Sequence, residues 1–432
     1  MKIALLEIKK RGDNKDYNSG FGTTFEIGNS FGARILAKAR SNLENIPTMS
    51  YTYISAIFKK YGHEVEYYLN EVPTQADLVL LQVSLIRHNE DLEYIKSVKS
   101  KGLKIGVYGS LAYAMPELFQ EADFIIQGEP EQAVIDICET NVIPSGLIQP
   151  RPVMHLDSLP FPDWDTLPLD DYSFSPILPG LPFTFVLASR GCPYKCSYCP
   201  YKVCNEYRVR KPEKVIEELK YLKERYQIKA FYFRDPCFSI NDERIKEFAH
   251  LMIQNGLDLK WGCETRLDLL NKPLLELLYL SGMRAIKVGV ESIDHNSLKE
   301  YGRLPPAVLH QEEIVRFCKK IGIKVIAFYI LGLPNETKES IKNTIRYSRK
   351  LNTSFASFNI CTPIPGTPFY LEMKDKLIEK DLNKYDNFHV VFEHNNLSEK
   401  DILKLKQKAI VGYYFRPRYI WRYLKDKIAE RR

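Results

Sequence analysis

The sequence lacks several features that would assign it to a common class. It has no apolar run near the roughly 18 residues that mark a transmembrane helix. Its N-terminal stretch MKIALLEIKK is too short for a signal peptide and has no small-residue cleavage site, so we expect a cytoplasmic protein that begins with a buried strand. Only nine cysteines occur in 432 residues and none precedes Cys138, a distribution typical of cytosolic thiols and not of a disulfide framework.

Net charge is also missing from most of the chain. Residues 1–400 balance to zero, which argues against nucleic-acid binding by the body of the protein. The whole excess of +7 lies in residues 401–432, where ten Lys and Arg face three Asp and Glu among many aromatic residues. This mixture predicts either peripheral contact with an anionic membrane or a C-terminal helix packed on the body with its aromatic rings buried.

Alternating strand and helix patterns divide the chain into four parts. Residues 1–142 carry short segments rich in Val, Ile and Leu between amphipathic helices, which predicts a doubly wound, flavodoxin-like α/β domain. Residues 143–182 contain nine prolines and are expected to be a linker. Residues 183–384 repeat the alternation with six strand candidates and five helix candidates, which predicts a partial (β/α)6 barrel. Residues 385–432 are expected to form a basic C-terminal helical region.

Three cysteines stand in the segment SRGCPYKCSYCPY, after the first strand of the predicted barrel. Barrels of this kind carry their chemistry at the carboxyl ends of the strands. Cys192, Cys196 and Cys199 would give three of the four thiolates that a cubane iron–sulfur cluster usually has, which leaves one iron open to a substrate. The alternative is a zinc knuckle that recruits Cys204 as its fourth ligand. The trio together with the barrel pattern favours the cluster, with Cys204 a bystander.

The spacing Cys-x3-Cys-x2-Cys after the first strand of a six-unit barrel resembles the radical S-adenosylmethionine (SAM) superfamily. The resemblance implies that Cys192, Cys196 and Cys199 hold a [4Fe–4S] cluster whose fourth iron is chelated by SAM. It also implies an external one-electron reductant and cleavage of SAM to a 5′-deoxyadenosyl radical. The aromatic residue usual before the third cysteine is present as Tyr198.

The same resemblance points to residues that end the later barrel strands, where relatives contact SAM, the nucleoside or a second cofactor. The candidate catalytic residues are Arg234, Arg266 and Glu291. The candidate cofactor ligands, besides Tyr198, are Asp235, Glu264, Ser292 and, in the Gly-x-Pro turn of FYILGLPNET, Gly332 and Pro334.

A flavodoxin-like domain joined to such a barrel by LDSLPFPDWDTLP resembles the cobalamin-dependent branch of the superfamily. This resemblance implies cobalamin between the domains. The motif Asp-x-His-x-x-Gly, whose histidine ligates cobalt in mutase-type domains, is missing. Two interpretations stay open: cobalamin bound without a histidine on cobalt, or a front domain that has lost the cofactor. The loops VSLIRHN and VYGSLAY are expected against the corrin, and the candidate contacts are Arg87, His88, Gly109 and Ser110.

The resemblance implies an enzyme that methylates an unactivated carbon of a small-molecule or lipid substrate. The alternatives are a radical SAM enzyme that cyclises or rearranges its substrate without methyl transfer, and a non-enzymatic zinc-binding module. A tRNA methylthiotransferase is excluded, because those enzymes carry cluster cysteines in an N-terminal domain and this chain has no cysteine before Cys138.

Overall fold

A computed structural model of the chain describes residues 1–15, 44–202 and 206–430. Residues 16–43 lie outside these ranges, and so does Cys204. None of the described helices is both long enough and apolar enough to cross a bilayer.

The front of the chain folds into a six-stranded parallel sheet. Its order is β2-β1-β3-β4-β5-β6, and every neighbouring pair is parallel. The first five positions reproduce the 2-1-3-4-5 order of flavodoxin-like folds, so the predicted fold of this domain is confirmed. The strands are β1 (Lys2–Glu7), β2 (Glu64–Leu69), β3 (Leu78–Gln82), β4 (Ile105–Tyr108), β5 (Phe124–Ile126) and β6 (Gly146–Ile148).

The central strands of this sheet are uniformly apolar because helices cover both faces. All residues of β3 and β4 are buried, whereas β2 is partly exposed at the sheet edge. Strand β6 lies inside the stretch predicted to be a linker and completes the other edge. The helices of this domain are α1 (Ser50–Lys60), α2 (His88–Ser100), α3 (Ser110–Ala114) and α4 (Pro130–Thr140).

A second six-stranded parallel sheet follows, with its strands in chain order from β7 to β12. This is the pattern expected from repeated right-handed βαβ units, and the predicted α/β fold is confirmed. The strands are β7 (Phe183–Val186), β8 (Ala230–Phe233), β9 (Lys260–Thr265), β10 (Met283–Glu291), β11 (Lys324–Leu331) and β12 (Phe355–Ile360).

The helices between these strands have apolar faces that pack on the sheet, and several are capped by side chains. Asn241 caps the helix that starts at Asp242, and Thr337 forms a capping box with Ser340. The helices are α5 (Pro212–Tyr226), α6 (Asp242–Gln254), α7 (Lys272–Leu280), α8 (His295–Glu300), α9 (Val308–Ile321) and α10 (Lys338–Leu351).

Three helices end the chain: α11 (Pro368–Met373), α12 (Glu399–Tyr414) and α13 (Pro417–Glu430). The hydroxyl of Tyr413 donates to the Thr353 carbonyl at 2.7 Å, and that of Tyr414 donates to the Ala356 carbonyl at 2.6 Å. Arg422 donates to the Thr353 carbonyl at 2.7 Å. Much of the aromatic and basic tail is therefore fixed to the edge of the second sheet at β12.

Candidate active site

A cavity of about 340 Å³ lies at the carboxyl ends of the second sheet. Its lining includes Cys192, Cys196 and Cys199, so the structure brings the three predicted thiols to one place. Asn14 of the front domain also lines it, as does the segment Asp386–Phe388 that follows the sheet. The cavity is therefore built by the barrel, the front domain and the C-terminal region together.

The loop that carries the cysteines is closed at its base by a short antiparallel ladder. Ser189 pairs with Val209 and Arg190 pairs with Arg208. Gly191 makes this closure possible: it has φ +70°, and a Cβ there would lie 2.4 Å from the Glu206 carbonyl oxygen. We call residues 191–202, which carry the three cysteines, the cysteine loop.

A second contact holds the middle of the cysteine loop. The Ser197 N–H donates to the Tyr301 carbonyl at 2.9 Å, and the Phe369 N–H donates to the Ser197 carbonyl at 3.2 Å. A Cβ on Gly302 would lie 2.3 Å from the Lys195 carbonyl oxygen, so only glycine allows this approach. The thiol positions are thus set by the segments after β10 and β12 as well as by β7.

The three cysteines differ in burial. Cys196 is buried, and Cys192 and Cys199 are partly exposed. Burial raises the pKa of the Cys199 thiol, and the neighbouring Cys196 and Cys192 raise it further. Within the described ranges, no three His, Cys, Asp or Glu side chains are drawn tightly enough together to hold a metal ion. The thiols instead line a shared volume.

Arg234 and Glu264, both predicted from the sequence, line the cavity. Their side chains approach to 3.9 Å, and Lys287 comes to 3.8 Å from the same carboxylate. The Tyr201 hydroxyl donates to Glu264 at 2.9 Å. The Arg234 guanidinium stacks on the Phe185 ring at 4.6 Å and lies 3.5 Å from the Asn14 amide oxygen. Arg234 thus connects the barrel to the front domain.

Glu291 reaches the cavity through an irregular strand end. The register between β10 and β11 shifts between Gly289 and Glu291, and Glu291 has φ +64°. A glutamate in this left-handed region is strained, and such residues cluster at functional sites. Burial raises the pKa of the Glu291 carboxyl, while Arg303 lowers it. Arg303 is itself anchored to the Gly289 carbonyl at 2.6 Å.

Arg266 and Tyr198 also line the cavity. Arg266 pairs with Asp268 at 2.8 Å and lies 4.2 Å from the centre of the Tyr194 ring, inside the cysteine loop. The Tyr198 hydroxyl is buried and has no hydrogen-bond partner among the described residues. Burial raises the pKa of Tyr198, and the nearby Glu291 adds to the effect.

Other predicted residues of the barrel lie behind the cavity wall. Asp235 accepts hydrogen bonds from the Ala188 N–H at 2.9 Å and the Ser189 hydroxyl at 2.5 Å, and burial raises its pKa to about 6. It therefore supports the start of the cysteine loop. Ser292 donates to Glu336 at 2.9 Å.

The Gly-x-Pro turn is held by the same glutamate. Glu336 accepts from the Gly332 N–H at 2.8 Å and from the Leu333 N–H at 3.0 Å, and Gly332 has φ +84°. Pro334 is buried in this turn. The turn is well defined, and its expected contact with adenine stays a prediction.

The predicted corrin contacts of the front domain lie at the carboxyl edge of its sheet but outside the cysteine cavity. Arg87 pairs with Asp13 at 2.5 Å, and His88 places Nδ1 3.4 Å from the Leu85 carbonyl. Gly109 has φ +117°, and a Cβ there would meet the Val83 carbonyl oxygen at 2.4 Å. The Ser110 hydroxyl is buried and has no hydrogen-bond partner among the described residues.

The sequence analysis did not identify several residues that line the cavity, among them Asn14, Lys287 and Arg303. Lys287 lies inside β10, four residues before the strand ends at Glu291. Asn14 and Arg303 lie in loops without a recognisable motif. The sequence GRLPP around Arg303 contains a glycine but no other feature that would indicate a functional residue.

A buried ionic network joins the front domain to the base of the cysteine loop. Arg190 donates to Glu129 at 2.9 Å and to Glu131 at 2.6 Å. Arg208 also pairs with Glu129. All four residues are buried, and the two glutamates flank the start of α4. This network was not predicted from the sequence, although Arg190 lies in the segment SRGCPYKCSYCPY that carries the three cysteines.

Comparison with known proteins shows what this chain is similar to. The model of the "Radical SAM superfamily" matches residues 186–348, the stretch from the end of β7 through most of α10. The chain is 32% identical over 278 residues to "Uncharacterized methyltransferase PH0819" of Pyrococcus horikoshii, covering 63% of this chain and 59% of that protein. It is 26% identical to an "Anaerobic magnesium-protoporphyrin IX monomethyl ester cyclase" of Cereibacter sphaeroides, covering 94% of this chain and 71% of that one. Residues 186–348 of this chain therefore resemble the radical SAM superfamily, and the chain spans 59% and 71% of the length of these two relatives.

Solved structures extend the likeness to the whole fold. The cobalamin-dependent SAM radical enzyme OxsB aligns over 100% of this chain and 71% of its own, with a TM-score of 0.69 at 13% identity. The radical SAM methyltransferase TsrM from Kitasatospora setae aligns over 86% of this chain and 78% of its own, with a TM-score of 0.62 at 15% identity. The two-domain architecture described above is therefore the fold of these cobalamin-dependent radical SAM enzymes.

Proposed function

We propose that this protein is a cobalamin-dependent radical SAM enzyme that methylates an unactivated carbon of a small-molecule or lipid substrate. The observation that carries the proposal is the placement of Cys192, Cys196 and Cys199 on one cavity that a front-domain residue, Asn14, also lines. In a site of this kind, a cofactor held by the barrel and a cofactor held by the front domain can both contact one substrate.

The cavity's own residues fit a cluster and SAM. The three thiols would hold the [4Fe–4S] cluster, which supplies the electron that cleaves SAM to a radical when both are bound. Arg234, Arg266, Arg303 and Lys287 bring four cationic groups to the same walls, where they offset the negative charge of thiolates and of the SAM carboxylate. The Tyr198 hydroxyl has no hydrogen-bond partner among the described residues. Glu291, whose backbone is strained, places its carboxyl beside Arg303. These residues would bind and orient SAM and the substrate, and they would exclude water from the cavity.

The front domain would hold cobalamin without a histidine on cobalt. Flavodoxin-like sheets bind ligands at the carboxyl ends of their strands, near the switch point between β1 and β3. Nδ1 of His88 lies toward its own loop carbonyl, and burial lowers the pKa of this ring. Ser110 offers an unpartnered hydroxyl at the same edge. The cofactor supplies the methyl group, and the chain's role is to hold it facing the cavity.

Relatives support methyl transfer and leave one second candidate. A "Hopanoid C-2 methylase" of Rhodopseudomonas palustris is 23% identical over 74% of this chain, and a "Bacteriochlorophyllide d C-12(1)-methyltransferase" of Chlorobaculum tepidum is 29% identical over 52%. The cyclase relative covers nearly the whole chain, which favours ring formation without methyl transfer as the second candidate. We propose that the substrate belongs to the same broad class of apolar small molecules, tetrapyrroles or polycyclic lipids.

A single anaerobic experiment separates these candidates. Reconstituted protein is supplied with hydroxocobalamin, a low-potential reductant, SAM carrying a deuterated methyl group, and a panel of tetrapyrroles and polycyclic lipids. Methyl transfer predicts a product that carries the deuterated methyl, formed together with 5′-deoxyadenosine and S-adenosylhomocysteine. A product without the label supports the cyclase candidate. Absence of 5′-deoxyadenosine, under conditions that reconstitute a cluster, contradicts radical SAM chemistry for this chain. The variant Cys199→Ala is the matched blank.

A further inference from the structure

We propose that Glu129 and Glu131 of the front domain are positioning residues for the cysteine loop, and that they tune the cluster it carries. The inference rests on the proposed function, because it needs the loop to hold a cluster. It deepens that function by assigning control of the cluster to a domain that contributes none of the three cysteines.

The register of the ladder that closes the cysteine loop places two arginines opposite each other. Arg190 and Arg208 are direct cross-strand partners in an antiparallel pair. Like charges directly opposite one another destabilise a strand pair. The base of the cysteine loop therefore needs negative charge from outside the ladder to close.

The negative charge comes from two glutamates of the front domain. Glu129 contacts both arginines and Glu131 contacts Arg190, so two carboxylates meet two guanidinium groups. The contacts cross 59 to 79 residues of sequence. The Arg190 guanidinium also lies 5.5 Å from the ring centre of Tyr53, in α1 of the front domain. The front domain thus surrounds the residue that stands two positions before Cys192.

All four charged side chains of this network are buried. The side chains of Arg190, Glu129 and Glu131 have at most 1% of their surface exposed, and that of Arg208 has 4%. Coulombic interactions in such a site are little screened by water or salt. Removing one member leaves an uncompensated buried charge, which is strongly unfavourable. A change of charge at any of these residues therefore alters the electrostatic potential at the adjoining cysteine loop.

The test uses the full-length, anaerobically reconstituted protein and compares Glu131→Gln, Arg190→Gln and the double variant. The matched control is Glu218→Gln, which breaks a buried carboxylate–arginine pair with Arg210 inside the barrel domain. The measurements are the midpoint potential of the cluster, its electron paramagnetic resonance signal with and without SAM, and the rate of 5′-deoxyadenosine formation.

Loss of a carboxylate makes the surroundings more positive, so we expect Glu131→Gln to raise the midpoint potential and Arg190→Gln to lower it. The double variant should return toward the wild-type potential. Glu131→Gln should also change the signal obtained with SAM and slow 5′-deoxyadenosine formation at least tenfold. Glu218→Gln should lower thermal stability but keep the wild-type potential and signal.

Two results overturn the proposal: potentials of both single variants equal to wild type, or a double variant whose potential lies as far from the wild-type value as that of either single variant. If Glu131→Gln does not fold, Glu131→Asp keeps the charge with a shorter reach, and a wild-type signal in that variant also contradicts the proposal. A wild-type protein that assembles no cluster contradicts the proposed function itself. A wild-type protein that cleaves SAM while these variants behave normally contradicts only the positioning role.

Discussion

At the scale of single residues, one cavity collects side chains from several strand ends and from loops. The cysteine trio, Arg234, Arg266 and Glu291 all line one cavity because they end strands of one parallel sheet. Arg303 and Asn14 reach the same cavity from loops whose paths depend on tertiary packing. The left-handed conformation of Glu291 was also beyond sequence reasoning, since it arises from a register shift between two strands.

Alanine at any one of Cys192, Cys196 or Cys199 should abolish the cluster and the formation of 5′-deoxyadenosine. Each variant removes one of the three predicted ligands, and the other thiols that line the cavity, Cys237 and Cys361, lie outside the cysteine loop. Iron and acid-labile sulfide per chain are measured after anaerobic reconstitution. Cys204→Ala and Cys318→Ala are the controls, the latter a buried thiol of α9. Equal cluster loss in Cys204→Ala would make the ligand assignment wrong.

A buried lysine should give the protein a pH dependence of stability. Lys406 in α12 donates to the Asn387 carbonyl at 3.1 Å and lies 3.8 Å from the centre of the Phe388 ring, beside the cavity segment. Burial lowers the pKa of Lys406 to about 7, although the nearby Asp386 raises it. The folded state then binds fewer protons than the unfolded state above this pKa, so stability rises with pH toward the ordinary lysine pKa.

The measurement for Lys406 is denaturant unfolding of the apoprotein at pH 7, 8 and 9. Relative to Lys406→Met, the wild-type protein should gain stability by up to about 1.4 kcal/mol per pH unit. Lys404→Met changes an exposed lysine of the same helix and should keep the wild-type slope. Parallel curves for the wild type and Lys406→Met would contradict this prediction.

At the scale of elements, regular periodicity located the helices and strands, and composition misled in one place. The segments PEKVIEELKYLKERY and KESIKNTIRYSRKL become α5 and α10 because their apolar residues recur on one face. The proline-rich stretch nevertheless supplies β6, since Gly146–Ile148 pairs at a sheet edge where proline neighbours are tolerated. The two-residue ladder at the base of the cysteine loop is too short to leave any periodic signal.

The C-terminal helices pack on the barrel, which is the second alternative expected from the sequence, but part of α13 stays exposed. Tyr413 and Tyr419 are buried against the barrel. On the opposite side of α13, Trp421 is 68% exposed, Leu424 55% and Ile420 44%. Exposed Arg418 and Lys425 accompany them. An amphipathic surface of this kind complements an anionic bilayer, where aromatic rings lie at headgroup depth and cations meet lipid phosphates.

We expect the protein to float with vesicles of anionic phospholipid at low salt and to be released at high salt. The double variant Trp421→Ser/Leu424→Ser should lose this flotation. Leu280→Ser, which alters an exposed leucine on α7, is the matched control and should behave like the wild type. Flotation that survives in the double variant, or is absent from the wild type, would contradict membrane contact through α13.

At the scale of the whole molecule, one hydrophobic core crosses the domain boundary. The same cluster of buried residues contains Ile3 of the front sheet, Trp164 of the connecting segment and Phe183 of the second sheet. The linker prediction was based on proline content, which cannot reveal that its aromatic residues pack into both domains. The two domains should therefore unfold together.

Calorimetry of the full chain should give one transition, and Trp164→Ala should lower its stability by about 3–5 kcal/mol, as is usual when a buried tryptophan is truncated. The chain offers a matched control in Trp421→Ala, because that ring is mostly exposed. This control should stay within about 0.5 kcal/mol of the wild type. Two separate transitions in the wild-type protein would show that the shared core does not couple the domains.

Cobalamin bound between the domains should be base-off and should lack a histidine on cobalt. The reasons are the missing Asp-x-His-x-x-Gly motif and the position of His88 against the Leu85 carbonyl. The cob(II)alamin paramagnetic signal should show no imidazole nitrogen coupling in the wild type or in His88→Ala. Nitrogen coupling that disappears in His88→Ala would identify a cobalt ligand and make this prediction wrong.

The facing arginines at the foot of the cysteine loop also limit how such proteins can be recombined. A barrel that carries Arg190 opposite Arg208 is not a self-sufficient module, because the carboxylates that neutralise it belong to another domain. Exchange of front domains between genes would succeed only when the incoming domain brings two acids at the start of its fourth helix. Chimaeric enzymes built from this chain should therefore be joined outside residues 129–208, so that both halves of the charge pairing descend from one parent.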